Sequence, residues 1–281
     1  MITGRIASLH VYPVKGARPI DVAQADAAIT GLSIGGAGDR EWMVVDRRGQ
    51  FITQREFPRL ALVETAVNDG SLVLSVTGLA PVAIALSPTP GTARDVVVWH
   101  SHVRGFDAGD AAAALLSSHL GDDVRLVRFD PTHERLCNPD YAGDSGAHTR
   151  FADGYPVLVI GSASLADLNA RLDARGAPEL PMNRFRPNIV IDGLDPYDED
   201  HIDTLEVDGI VLKLVKPCTR CQVTTTDQAS ARVGVEPLRT LTGYRMNDRL
   251  GGVAFGMNAI VAEGVGRTLA AGASVRCEYR F

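Results

Sequence analysis

Three turn signatures constrain this chain more than any other feature. Arg47-Arg48-Gly49 lies inside EWMVVDRRGQFITQ, Asn68-Asp69-Gly70 inside LALVETAVNDGSLVLSVTG, and Asp208-Gly209 inside TLEVDGIVLKLV. Asn, Asp and Gly enter the positive-φ conformations of tight hairpins at low cost, and the runs around them are rich in residues that favour strands. A chain made of many short strands at this spacing folds into barrels or strongly bent sheets. The expected class is therefore a β-rich α+β fold. Two helices interrupt it. DAGDAAAALLSSHLG is alanine-rich, begins with acidic residues, sets Leu115, Leu116 and Leu120 on one side and stops at Gly121. SASLADLNARL places Leu165, Leu168 and Leu172 on one face, with Ser164 and Asp167 spaced as a capping box.

Between the helices, FDPTHERLCNPDYAGDSGAH has no periodicity and is too long for a simple connector. With 281 residues, 45% of them apolar, the chain can fill two cores, and the division is expected in this loop: one domain over residues 1–130 and a second over 131–281. The loop reads equally as a linker and as the wall of a binding site. A net charge of -6 argues against a general nucleic-acid binder, so any bound anion needs a local basic cluster. MITGRIASLHVYPVKG carries no basic-then-apolar leader and no apolar run reaches spanning length, so a cytoplasmic address and no membrane partner are expected.

The four cysteines, Cys137, Cys218, Cys221 and Cys277, are too few for a disulfide scaffold. Cys218 and Cys221 form a CxxC in KLVKPCTRCQVTTTD, where Lys216 and Arg220 favour the thiolate. A redox dithiol belongs at a helix start, whereas QVTTTD is β-branched and reads as strand. A structural zinc site lacks its second CxxC, and His100 and His102 would have to complete it through the fold. The remaining readings are two small core residues, or one thiolate on a soft metal with the other as neighbour. Basic residues help to choose. Lys15, Arg40, Arg55, Arg59, Arg184 and Arg186 each sit near Gly, Pro or a strand boundary, where side chains reach clefts. Together they would make an anion pocket; individually each reads as a solvated charge.

Six segments, YPVKG, GDREWMVVD, FITQREFPRL, LVIGSASLADLNARL, FRPNIVIDG and KPCTRCQVTTTD, occur in this order. In that order the chain resembles proteins with a MOSC N-terminal β-barrel domain followed by a MOSC domain, and among them the amidoxime-reducing components and their bacterial counterparts. The resemblance spans nearly the whole chain. It implies an N-terminal β-barrel-like domain, a MOSC β-barrel with a few helices, and a molybdenum cofactor in the cleft between them. The family's metal-ligating cysteine carries over to Cys221, leaving Cys218 as a neighbour. Its cofactor-binding positions carry over to Lys15, Arg40 and Arg186, with Arg184, Asp153 and Asn188 in matching segments. Gly16 stands where animal members have Ser, which removes a hydroxyl and leaves a backbone N–H for that contact.

The implied activity is molybdenum-dependent reduction of small N-hydroxylated compounds, such as amidoximes, to amines or amidines. A proton donor is needed, and Asp227 is close enough in sequence to Cys221 to serve, or to cap a turn. Some bacterial relatives carry a ferredoxin domain and animal members a membrane anchor. This sequence shows neither, so an external electron donor, a ferredoxin or a b5-type protein with its reductase, is expected. The alternatives are a carrier of the cofactor or of persulfide sulfur without turnover, and a metal-free barrel adaptor.

Overall fold

The first strand finds its partners near the far end of the chain. In the computed structural model, which describes residues 2–87 and 91–280, strand Ile2–Val11 lies antiparallel between Ile189–Asp192 and Ser274–Tyr279. The sheet continues through Ile202–Val207, Ile210–Thr219 and Gly252–Glu263. Val157–Gly161 then pairs with both Gly252–Glu263 and Ile189–Asp192, closing seven strands into a barrel. The pairing with Ile189–Asp192 is parallel and needs a crossover, which helix Ser162–Asp173 supplies. Gly256, at φ +78 in mid-strand, permits the bend: a β-carbon there would lie 2.6 Å from Ile160 Cγ1. Ile6, Leu9, Val159, Ile191, Leu205 and Leu212 are among the residues packed inside.

A second core gathers Trp42, Val44, Leu60, Leu72, Leu74 and Leu126. Around it stand the sheet ordered Ala93–Val98, Ser101–Asp107, Val124–Phe129, Trp42–Asp46 and the meander Glu64–Asn68, Ser71–Ser75, Val82–Ala85. Helix Asp110–Leu120 buries Leu115, Leu116 and Leu120 against this core and ends at left-handed Gly121. The small sheet Gln24–Ala28, Gly31–Ile34, Ala37–Gly38 takes its edge strand Thr268–Ala270 from the far end of the chain. Strand pairing thus crosses the division at 130/131. Lys15 follows strand Ile2–Val11, which pairs with the far end of the chain, Arg40 follows Ala37–Gly38, which pairs with Gly31–Ile34, and a bridge between Val14 and Trp42 joins the two segments.

Two hairpins turn where the sequence says. Asp69 and Gly70, and Asp208 and Gly209, all have positive φ and join antiparallel pairs. At Arg47-Arg48-Gly49 the turn forms but the pairing is a single bridge, Val45 to Phe51, because the Phe51 N–H donates to Val97 O at 3.0 Å. The capping box is not made. Ser164 Oγ donates instead to Glu199 Oε2 at 2.7 Å, and Glu199 Oε1 accepts the Gly161 N–H at 3.1 Å, so a buried carboxylate from a distant turn serves this helix start. Burial pushes the pKa of Glu199 up, against the pull of those two donors. QVTTTD is not strand either: Gln222–Thr225 is a turn of 3-10 helix. The Thr224 hydroxyl donates to Cys221 O at 2.9 Å and that of Thr225 to Gln222 O at 2.8 Å, a local bonding pattern that outweighs the β-branched preference. The long loop also carries structure, in the pair Arg135–Leu136 with His148–Thr149 and the helical turn Pro139–Ala142.

Candidate functional site: a basic cleft with an exposed thiol

Strand Ile210–Thr219 ends just before Cys221, which is the N-terminal residue of the 3-10 turn and is exposed. Cys218 is partly buried, packs with Phe185 and Phe255, and receives Arg220 Nη1 at 3.0 Å. The two thiols of one motif therefore face different surroundings. Both line one cleft, with Lys15, Gly16, Arg40, Asp153, Arg186 and Asn188 on its walls.

Two of these arginines are held in the left-handed region, Arg40 at φ +45 and Arg186 at φ +56, a strained backbone that the surrounding contacts must hold in place. Both sit against Tyr12, with guanidinium carbons 4.2 and 4.4 Å from its ring centroid. Tyr12 is buried, and desolvation pushes its phenol up to about 12. Arg40 is fixed by Asp39 and, at 3.1 Å, by Asn188 Oδ1. Asn188 lines the cleft, but its amide is fully engaged. Nδ2 donates to His10 O at 3.1 Å and Asp39 Oδ1 at 2.8 Å, and Oδ1 also accepts the Leu158 N–H at 3.1 Å. It positions Arg40 and has no free valence for a ligand.

Lys15 donates to Phe151 O at 2.8 Å and to Asp153. Burial lowers the Lys15 pKa, and the Asp153 charge works against that. Desolvation raises the pKa of Asp153, but Lys15 and the indole N–H of Trp99 hold it well below the usual carboxylate range. Asp153 neutralises Lys15, as Asp39 does Arg40. Arg186 has no carboxylate partner: Nη1 donates to Gln228 Oε1 at 3.3 Å, and Nη2 is buried with no partner. Desolvation pulls it down to about 10, leaving it charged at neutral pH. Arg220 likewise meets only Cys218 and Phe185 O, with its Nε buried and unpartnered. The cleft holds two uncompensated guanidiniums with orphaned donors, an arrangement that calls for an anion.

Gly16 lies at φ +87, where a side chain would be strained, and among the described residues its N–H donates no hydrogen bond. Three residues expected at the site lie elsewhere. Arg184 does not line the cleft; it donates to Thr225 O at 3.0 Å and Asp227 Oδ2 at 3.0 Å, clamping the cysteine turn from behind. Asp227 does not line it either, and caps its own turn by accepting the Ser230 N–H and hydroxyl, both at 2.8 Å. Those Ser230 bonds, helped by Arg184, lower its pKa, which works against a proton-donating role. Arg59 packs with His119 instead. Sequence reasoning passed over Trp99, Tyr155 and Asn258, which do line the cleft. Trp99 lies in a turn and Tyr155 beside a bend, whereas Asn258, in the middle of strand Gly252–Glu263, carried no local signal.

The description "MOSC N-terminal beta barrel domain" matches residues 3–123 and "MOSC domain" residues 146–276. Mitochondrial amidoxime-reducing component 1 of Homo sapiens is 35% identical over 251 residues, covering 87% of this chain and 73% of its own. Mitochondrial amidoxime reducing component 2 of Rattus norvegicus is 33% identical with the same coverages. Component 1 of Danio rerio is 32% identical, over 87% of this chain and 76% of its own.

Proposed function

The chain belongs to the MOSC-domain family of the amidoxime-reducing components, and from that premise we propose that it reduces N-hydroxylated compounds at a molybdenum cofactor bound in the basic cleft. The observation that carries this reading is the pair of unpaired guanidiniums, Arg186 and Arg220, beside an exposed thiol, Cys221. The donor set fits such a group. Among the described residues no three His, Cys, Asp or Glu side chains converge as a metal site, and the exposed Cys221 thiol is the soft donor that a metal carried by a cofactor would take. The pterin's phosphate answers the cationic surplus.

In this reading Cys221 is the protein's metal ligand. Arg186, Lys15 and Arg40, with the Gly16 N–H, hold the anionic end, while Asn188 and Asp39 set the Arg40 geometry. Asp153 aligns Lys15 and ties it to Trp99. When bound, the cofactor supplies the two-electron chemistry that converts R–NHOH, two electrons and two protons to R–NH2 and water. For the proton, Tyr155 is better supported than Asp227, since its hydroxyl is buried without a partner and burial keeps it protonated. Electrons come from an external protein donor, with the cytoplasm as the proposed compartment. Among the described residues no helix is long and apolar enough to cross a membrane. The test is molybdenum content of the purified chain together with turnover of benzamidoxime with a viologen reductant. A chain that takes up molybdenum yet reduces no N-hydroxylated compound would refute the activity.

A further inference from the structure

Lys15, Arg40, Arg186 and Arg220 each donate at least one hydrogen bond to the protein. Arg55, which also lines the cleft, differs. Among the described residues its guanidinium donates none, and its nearest carboxylate, Glu56 Oε1, stands 3.8 Å away. That ion pair is long and its carboxylate exposed, and Oε2 is turned to Thr53, accepting its N–H at 3.2 Å and its hydroxyl at 2.5 Å. A stack holds Arg55 instead, its guanidinium carbon 4.8 Å from the Trp99 ring centroid.

Trp99 is built as a support. It sits at φ +55 between the paired strands Ala93–Val98 and Ser101–Asp107, a conformation unusual for so bulky a residue. Its Nε1–H donates to Asp153 Oδ1 at 3.0 Å, and its ring lies 5.1 Å from that of Phe51 at 54°. The indole is 39% exposed even so. A stacked guanidinium keeps its plane and orientation while its fork of N–H donors remains available, the geometry that matches a planar carboxylate.

We propose that Arg55, carried on Trp99, is a carboxylate anchor, and that this chain's substrates are N-hydroxylated compounds bearing a carboxylate at the end away from the nitrogen. The inference rests on the reductase reading and names its substrate class. In that reading Arg186, Arg40 and Lys15 answer the cofactor's phosphate and Arg220 is tied to Cys218 and Phe185 O, whereas Arg55 donates no hydrogen bond to the described residues and is free to meet a substrate.

The experiment compares benzamidoxime with 4-carboxybenzamidoxime on cofactor-loaded protein. The carboxylated compound is expected to have a kcat/KM about tenfold higher, the order of one charge-assisted contact. In Arg55→Gln the ratio falls to near one through a raised KM for 4-carboxybenzamidoxime, and Arg55→Lys, which keeps charge but not the fork, restores part of it. Pterin and molybdenum content stay at the wild-type level. In a separate titration without reductant, 4-carboxybenzamidoxime quenches Trp99 fluorescence at lower concentration than benzamidoxime, and Arg55→Gln removes that difference. This second measurement decides the anchor even if the protein reduces neither compound. A ratio near one in the wild type, a ratio unchanged in Arg55→Gln, or equal quenching by the two compounds overturns the proposal. So does loss of pterin in that variant, which would give Arg55 to the cofactor.

Discussion

At the end of strand Ser101–Asp107, the buried carboxylate of Asp107 gathers Arg94, Arg125 at 2.8 and 2.5 Å, and the Gly109 N–H at 2.8 Å. In the cleft, Arg186 and Arg220 have no carboxylate partner among the described residues, and each keeps a buried donor with no hydrogen-bond partner there. Both regions are arginine clusters, and from composition they look alike. The first is closed, with acceptors matched to donors inside the protein, and it stabilises the fold. The second is open by a small number of N–H groups, and that deficit marks a ligand site.

The sharpest way to break the contrast lies at the thiols. Cys221→Ala is expected to lower N-hydroxyl reduction by at least about a thousandfold and to strip molybdenum, as loss of the sole protein ligand would. Cys218→Ala, which removes a partly buried packing group, keeps the metal and most of the turnover. Equal losses of molybdenum per chain in the two variants would place the metal on both sulfurs.

Next in size is Arg186→Gln. Removing a charge-assisted contact to phosphate should weaken cofactor retention about ten- to a hundredfold. The melting temperature of the cofactor-free protein should move by no more than about 2 °C, because one of the deleted donors had no partner to lose. A large drop in melting temperature with full pterin content would make Arg186 another closed-network arginine.

Asp107→Asn should show the opposite profile, with unchanged pterin content and a stability loss of about 2 kcal/mol, the scale of hydrogen bonds to a charged group. Its pH dependence is fixed in sign. Burial works to raise the Asp107 pKa, but hydrogen bonds from Arg125, Gly109 and Arg94 bring it below its ordinary value. A depressed folded pKa contributes stability that is present above the unfolded value of about 3.9 and lost as pH falls through the folded one. The gap between wild type and variant, measured by urea denaturation, should hold from about pH 7 to 5 and narrow below about pH 4. A gap that widened in acid would contradict the assignment.

The smallest effect is expected from Asp227→Asn: about 1 kcal/mol of stability from a weakened turn cap, with turnover within about threefold of wild type. A hundredfold loss of turnover would return Asp227 to the chemistry.

What the sequence disclosed divides by range. Asn68-Asp69-Gly70 and Asp208-Gly209 announced their hairpins because a turn is decided by the residues in it. Lys15, Arg40, Arg186 and Cys221 were legible as a set only through family resemblance, since nothing local brings residues 15 and 221 to one cleft. Asp227 stayed open between proton donor and turn cap because nearness in sequence to Cys221 says little about direction; the Ser230 cap turns its carboxylate away from the cleft. Trp99 passed unnoticed because its role depends on Asp153, Phe51 and Arg55, three partners from two other segments.

The lodging of Ile2–Val11 between Ile189–Asp192 and Ser274–Tyr279 also sets a timetable. The first strand precedes both of these neighbours by well over a hundred residues, so Ile6 and Leu9 gain their barrel partners only after residue 189 has been added. The second core, drawn largely from residues 42–126, can assemble meanwhile. Lys15 meets Phe151 and Asp153, and Arg40 meets Arg186 and Asn188, only once those later segments are in place. A chain truncated before residue 189 leaves the first strand without either of its two neighbours and lacks the Cys221 side of the cleft, and it should retain no pterin.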